Sequence, residues 1–308
     1  MTPPRPLFVV GPPNTATSTL VAMLNAHPEV LVCYETWQRP PRLSRYTRQL
    51  FEACPAARRA FAGELSIPAV YRRLGEILCD EGASYRFVGD KLVNLGVREL
   101  PELAGERVLF IARDLREWLL KHEIEAHYAV SIDAVAPAID FLECLLLAAE
   151  QRSWLRVEMT EMLADNPGTL DRIAEYLSLD RAGFSDAWWE TVDSSEDPLK
   201  RAMTWYRYHP SSRMPPQPKS DVRYELAEHP FWEGVTPLRR RVVDAYRTGI
   251  TTDEGDELRT ALRALRTEFV PTPIERLYRN YTVRRHAPRR SLRERMGGLV
   301  RRTLGRGE

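Results

Sequence analysis

The sequence predicts an α/β protein: a parallel sheet flanked by helices, with a P-loop-like first turn. Two observations carry this. Short apolar runs alternate with helix-length segments over most of the chain, the pattern of strands joined by crossovers of one hand. The first run, residues 7–10, stops at Gly11-Pro12-Pro13, and a hydroxyl-rich turn (Thr15, Thr17, Ser18, Thr19) then leads into the periodic residues Leu20, Val21 and Leu24. Strand, tight loop and helix in that order point the amides and hydroxyls of the helix's first turn into the loop. Such helix N-termini hold anions, because unpaired N–H groups and the macrodipole both favour negative charge.

Further strands are expected at residues 29–33, 86–89, 107–112 and 154–157. Helices are expected at 42–62 and 67–79, separated near Gly63, then at 115–130 and 134–151, divided by Ser131-Ile132-Asp133, and at 167–177. After about residue 195 the pattern changes. Residues 209–219 are proline-rich and read as a surface loop, and helices follow near 236–248 and 253–267. There is no internal repeat. The elements group into one α/β domain over residues 1–270 and a basic extension over 271–308.

A chain of 308 residues, 44% hydrophobic and 28% charged, can bury one large core. Its net charge of +1 argues against a nucleic-acid partner held by bulk electrostatics. No apolar run nears the roughly 18 residues of a membrane span. Met1-Thr2-Pro3-Pro4-Arg5 leads straight to the first strand and leaves no room for a signal peptide. Cys33, Cys54, Cys79 and Cys144 lack metal-binding spacing, which reads as reduced thiols in a cytoplasm and calls for no metal.

The first turn fails the common ATP motif. Counting from Gly11, the Gly-Lys-Ser/Thr positions of a Walker A loop fall on Ala16, Thr17 and Ser18, so the phosphate-gripping lysine is missing.

Four blocks in fixed order carry a different resemblance. Gly11-Pro12-Pro13-Asn14-Thr15-Ala16-Thr17-Ser18 is followed by Leu24-Asn25-Ala26-His27-Pro28-Glu29; then come Gly89-Asp90-Lys91, read as a turn after a central strand, Arg113-Asp114-Leu115-Arg116, and Val157-Glu158-Met159 leading through Asp165-Asn166-Pro167 to Tyr176-Leu177-Ser178-Leu179. Over roughly residues 6–180 the chain thereby resembles the bacterial-type sulfotransferases that use 3′-phosphoadenosine 5′-phosphosulfate (PAPS). The resemblance implies a sulfotransferase fold and PAPS as co-substrate. It places Asn14, Thr15, Ala16, Thr17 and Ser18 around the 5′-phosphate, and Arg113 and Lys121 at the 3′-phosphate, where forked donors or a point charge suit an oxyanion. It also implies catalytic roles for Lys91, as the cation at the leaving phosphate, and Glu35, as the base in Cys33-Tyr34-Glu35-Thr36-Trp37. Glu35 has a second reading, a solvated loop carboxylate.

The chain departs from the family at four positions. Asn14 stands where a lysine or arginine is usual, and Lys121 where a serine is usual. Met159 replaces a tyrosine that often meets the adenine. Ala16 replaces a glycine, which suits a backbone that needs no positive φ. Val93 excludes the variant with a histidine two residues past the lysine. Asp90 reads as a partner for Lys91. His27 reads as a cap on local backbone, and His122 and His127 as surface or structural groups, with contact to substrate as their second reading. Trp188 and Trp189 beside Phe184 read as core packing of a helix against the sheet, with a ligand platform as the second reading. Trp205-Tyr206-Arg207-Tyr208 is open to two readings, an acceptor lid or a structural cluster.

From Tyr281 onward nine arginines face only Glu294 and Glu308, and Leu292, Met296, Leu299, Val300 and Leu304 recur at helical spacing among them. That pattern suits peripheral contact with an anionic membrane, an acidic partner, or a solvated tail. The expected function is sulfuryl transfer from PAPS to a hydroxyl or amine of a small molecule, glycan or lipid. The alternative is an inactive or repurposed protein on the same fold that binds a nucleotide or another anionic donor.

Overall fold

The computed structural model describes residues 2–12, 14–37, 45–63, 65–93, 99–115, 117–118, 135–186, 188, 195–203 and 231–270. The chain divides into two units, Met1–Glu268 and Phe269–Glu308. From residue 271 onward, including the arginine-rich stretch, the second unit lies outside the described residues.

Five strands form one parallel sheet: β1 (Arg5–Val10), β2 (Val30–Tyr34), β3 (Phe87–Leu92), β4 (Arg107–Ala112) and β5 (Leu155–Glu158), in the order β2-β3-β1-β4-β5. Around them lie α1 (Thr17–Asn25), α2 (Arg45–Ala53), α3 (Ile67–Asp80), α4 (Val135–Glu150), α5 (Met159–Ala164), α6 (Asn166–Leu177), α7 (Pro198–Met203), α8 (Phe231–Thr248) and α9 (Thr252–Phe269). The expected parallel sheet flanked by helices is therefore the architecture present. A sheet covered on both faces explains why its strands read as near-continuous apolar runs. Leu7, Val9, Val30, Val32, Leu109 and Ile111 pack in one core with Leu20 and Leu24 of α1 and Leu170 and Ile173 of α6. On the other face Phe8 meets Tyr71 of α3, and Phe110 meets Tyr246 of α8.

The strand order positions the site. From β1 the chain leaves toward β2, and from β4 it leaves toward β5, so the loops after β1 and β4 diverge. A crevice at the carboxyl ends of strands, where the order reverses, is where open α/β sheets take ligands. Gly11 is required there, since a Cβ would overlap the Ile111 carbonyl of β4.

Several boundaries differ from the sequence expectation for physical reasons. The helix expected over 42–62 stops at Ala53 and resumes as a 3-10 segment, Pro55–Phe61. Pro55 has no N–H to continue the ladder, and Cys54 before it is extended (φ −141°, ψ 92°). β3 does not end at Gly89; it runs through Asp90 and Lys91 to Leu92, so these residues are strand and not turn. Helices α5 and α7 were not foreseen. α8 begins at Phe231, ahead of Pro237, which lies inside it. Most of the helix expected over 115–130, the proline-rich stretch 209–219 and residues 205–208 lie outside the described residues.

Candidate functional site

The turn after β1 is strained. Asn14 (φ 66°) and Ala16 (φ 64°, ψ 23°) are left-handed, with Thr15 between them at negative φ. Alternation of backbone sign turns successive N–H groups toward one point, the geometry of an anion nest. The condition set for Ala16, a backbone needing no positive φ, is not met: alanine adopts the glycine conformation at a cost of roughly 1–2 kcal/mol. Glu35 (φ 52°) is also left-handed. The fourth such non-glycine residue among those described, Ser178, ends α6, where that conformation is ordinary. Three left-handed non-glycine residues therefore lie just past the carboxyl ends of β1 and β2, and strain held by surrounding structure clusters at functional sites.

The loop closes on itself. The Thr15 hydroxyl donates to the Pro12 carbonyl at 2.7 Å, and Thr15 and Thr17 are buried. Ala16 is the N-cap of α1 and provides no side-chain cap. Ser18, in the first turn of α1, meets the Tyr34 hydroxyl and accepts from Lys91 Nζ at 3.2 Å.

Lys91 comes from β3 beside Tyr34 of β2, its register partner, so both side chains lie on the α1 face of the sheet. Its ammonium stands 3.6 Å from the centroid of the Tyr34 ring and 2.7 Å from Glu35 Oε1. Lys91 is 3% exposed, whereas the Glu35 side chain is 25% exposed. A buried cation thus touches the first turn of a helix and is countered by a carboxylate that reaches solvent.

Asp90, the neighbour of Lys91, points to the opposite face and is fully buried. The expected Asp90–Lys91 pairing is limited to the Lys91 backbone N–H, which donates to Asp90 Oδ1 at 2.9 Å. Asp90 Oδ2 instead accepts from the Tyr71 hydroxyl (2.6 Å), the Trp37 N–H (2.9 Å) and the Thr36 hydroxyl (3.2 Å). Consecutive residues of β3 therefore hold the turn 35–37 from both sides. Burial raises Asp90 from the ordinary carboxylate range to about 6, against the lowering effect of these donors.

Arg113, past the end of β4, is 7% exposed and bridges the diverging loops: Nη1 donates to the Asn14 carbonyl at 3.4 Å, and Nε meets Glu117 Oε2 at 3.3 Å. The structure thus brings Asn14, Thr15, Ala16, Thr17, Ser18, Glu35, Lys91 and Arg113 to the carboxyl edge of the sheet. Lys121, His122 and His127 lie outside the described residues. Met159 is packed into the core of the α1 face, as is Trp188. His27 is a backbone brace: Nδ1 accepts from the Glu29 N–H, and Nε2 donates to the Asp180 carbonyl, both at 3.2 Å.

Sequence reasoning missed Tyr34 and the Thr36–Tyr71–Asp90 cluster. The alternation Val30, Val32, Tyr34 was the available signal for Tyr34, because it places the ring on the face α1 covers.

No family model and no curated protein matches the chain. Among solved structures it is distantly similar to the sulfotransferase domain of the Synechococcus PCC 7002 olefin synthase (14% identity, 88% of this chain and 97% of that one, TM-score 0.37). It is similar also to a sulfotransferase from Alicyclobacillus acidocaldarius (15%, 69% and 99%, 0.36) and to one from Mycobacterium tuberculosis (19%, 69% and 74%, 0.39). Likenesses of this size assign neither an activity nor a ligand. Among the described residues no group of three or more His, Cys, Asp or Glu is placed to hold a metal ion, and no helix is long and apolar enough to cross a membrane.

Proposed function

We propose that the chain binds PAPS at the turn after β1 and transfers its sulfuryl group to a hydroxyl or amine of a small-molecule, glycan or lipid acceptor. One observation carries the reading: Lys91 holds its ammonium against the first turn of α1, beside Ser18. The positive end of a helix disfavours a cation by some tenths of a kcal/mol to about 1 kcal/mol, and burial adds to that. An anion bound between loop and lysine reverses both effects. Sulfuryl transfer asks for little more than alignment and charge stabilisation at the leaving phosphate.

In this reading the loop amides and the Ser18 hydroxyl take the 5′-phosphosulfate, and Arg113 meets a second anionic group of the donor. Lys91 exchanges Glu35 for the donor, which releases the carboxylate. The acceptor oxygen or nitrogen then forms its bond to sulfur as the bond from sulfur to the 5′-phosphate oxygen breaks. The acceptor proton goes to Glu35, and Lys91 neutralises the phosphate that departs. With an amide at position 14, Lys91 carries that charge without help from a loop side chain.

Titration with 3′-phosphoadenosine 5′-phosphate (PAP) tests the reading. Saturable binding is expected, weakened about 100-fold or more in Lys91→Ala, with sulfuryl release from labelled PAPS reduced at least as far. Absence of PAP binding to the intact chain would sink it. PAP binding without turnover, joined to a large rate gain in Asn14→Arg, would favour the nucleotide-binding alternative, which the missing loop cation motivates.

A further inference from the structure

Tyr34 has no role in the reading above, yet it touches both the first turn of α1, at Ser18, and the Lys91 ammonium. Its hydroxyl meets Ser18 in the first turn of α1, its ring lies under the Lys91 ammonium, and it is 6% exposed. On its other side, at 4.8 Å between centroids, it packs on Tyr46 of α2. Strand register fixes this arrangement, since Tyr34 and Lys91 are direct neighbours across β2 and β3. A ring that served only to fill the core would not need an ammonium 3.6 Å from its centroid.

We infer that Tyr34 is the positioning residue of the anion site: its ring holds the Lys91 ammonium at the N-terminus of α1, so that one strand lysine meets a phosphate or phosphosulfate ligand without a loop cation. The physical problem is to keep a buried ammonium beside the positive end of a helix. An aromatic face stabilises a desolvated cation through its quadrupole and adds no counter-charge that would compete with an incoming anion. Glu35 neutralises Lys91 but would compete with an anionic ligand. The ring does not compete, so Lys91 can turn from Glu35 to an anion while staying over Tyr34. The hydroxyl holds Ser18 at the same point, which fixes the helix turn and the lysine relative to each other. Position 14 has only an amide, and the guidance a second charge would give comes instead from a neutral π-face. This inference rests on the donor reading only in the identity of the ligand, not in its being an anion.

A double-mutant cycle tests it, using PAP and, separately, inorganic pyrophosphate as probes, with Kd read by calorimetry. Tyr34→Leu is expected to weaken binding about 30-fold, Tyr34→Phe only about 3-fold through the freed Ser18 hydroxyl, and Lys91→Met about 100-fold. Because Tyr34 acts through Lys91, Tyr34→Leu in the Lys91→Met background should cost no more than about 3-fold further. Tyr34→Trp, which restores a π-face, should recover most of what Tyr34→Leu loses, and this separates positioning from simple loss of packing. Additive losses in the double variant, or equal losses in Tyr34→Phe and Tyr34→Leu, would overturn the inference. If pyrophosphate binds with the expected cycle and PAP does not, the positioning role stands and the donor assignment falls. If neither probe binds the intact chain, both fall.

Discussion

The two ends of α1 each meet a buried lysine, and they use it in opposite ways. At the C-terminal end Lys200 of α7 donates to the carbonyls of Asn25 (3.0 Å) and His27 (2.5 Å). A cation there satisfies the helix-end carbonyl of Asn25, joins the Val30 N–H at the His27 carbonyl, and sits at the negative end of the macrodipole. The neighbours are equally settled. The Asn25 side chain accepts from the Val32 N–H at 2.7 Å and donates to its carbonyl at 2.9 Å, and His27 ties the turn to Asp180. At the N-terminal end Lys91 sits where a cation is opposed, the backbone is strained at Asn14 and Ala16, and no side chain caps the helix. One end is finished by the fold, whereas the other holds an opposed cation, the feature on which the proposed anion site rests.

The largest effects should come from exchanging the lysines' roles. Lys200→Met leaves the buried Asn25 and His27 carbonyls without their charged donor and should lower unfolding stability by about 3 kcal/mol, with PAP affinity unchanged. Lys91→Met should change stability by about 1 kcal/mol or less, because it also removes an opposed cation, while PAP binding collapses. Chemical denaturation and calorimetry on both variants would break the comparison if the pattern were reversed. The pH dependence sharpens it. Burial depresses Lys200 from 10.5 to about 8, so between these values the unfolded chain binds more protons, and Lys200 makes stability rise with pH over that window. Lys200→Met should lack this rise.

Next in size is Asp90→Asn, which tests how the turn bearing Glu35 is held. An amide in place of the carboxylate directs N–H at donors and should cost about 2 kcal/mol at neutral pH. The folded value for Asp90 is raised from 3.8 to about 6. Its protonated form therefore favours the fold: that contribution is complete below about pH 4 and lost as pH rises through about 6. The intact chain should gain on Asp90→Asn as pH falls across this interval, in parallel denaturant titrations. A constant gap between the two would contradict the assignment.

The same contrast governs what the sequence disclosed. Alternation of apolar runs and helical segments gives the parallel sheet, because strands buried on both faces must be apolar throughout. The strand-loop-helix order at residues 7–24 likewise gives β1, the turn after it and α1. The periodic pattern fails where polar residues occupy buried strand positions: Asp90 and Lys91 read as a turn because their partners, Tyr71, Thr36, Trp37 and Glu35, come from distant segments. Left-handed alanine at position 16 was illegible for a related reason. Intrinsic preference opposes it, and only the surrounding packing fixes it. The settled end of α1 was partly legible, since His27 read as a brace, but Lys200 gave no signal in its own segment.

Removing the Asp180 tie at the settled end should cost less than removing Lys200. In His27→Asn the amide oxygen keeps an acceptor for the Glu29 N–H, while the bond to Asp180 and the contact with the Phe184 ring are lost. A loss of about 1–2 kcal/mol is expected. Burial lowers the His27 pKa below 6.5, so the unfolded chain takes up a proton first and this group makes stability fall as pH drops below that value. The variant should lose less stability than the intact chain over the same acid range.

The smallest effect separates strain at the two places where a left-handed residue touches a helix end. Ala16→Gly and Ser178→Gly each relieve an αL side chain, and each should change stability by about +1 kcal/mol or less, since relief in the folded chain is offset by added freedom in the unfolded one. Only Ala16 lies in the nest. If its conformation is held for an anion, Ala16→Gly should loosen the loop and weaken pyrophosphate and PAP by a few-fold, whereas Ser178→Gly, at the far end of α6, should leave both unchanged. Equal responses in the two variants would mean that the strain in the turn after β1 is a by-product of chain entry into α1, and the asymmetry between the ends of that helix would then rest on Lys91 alone.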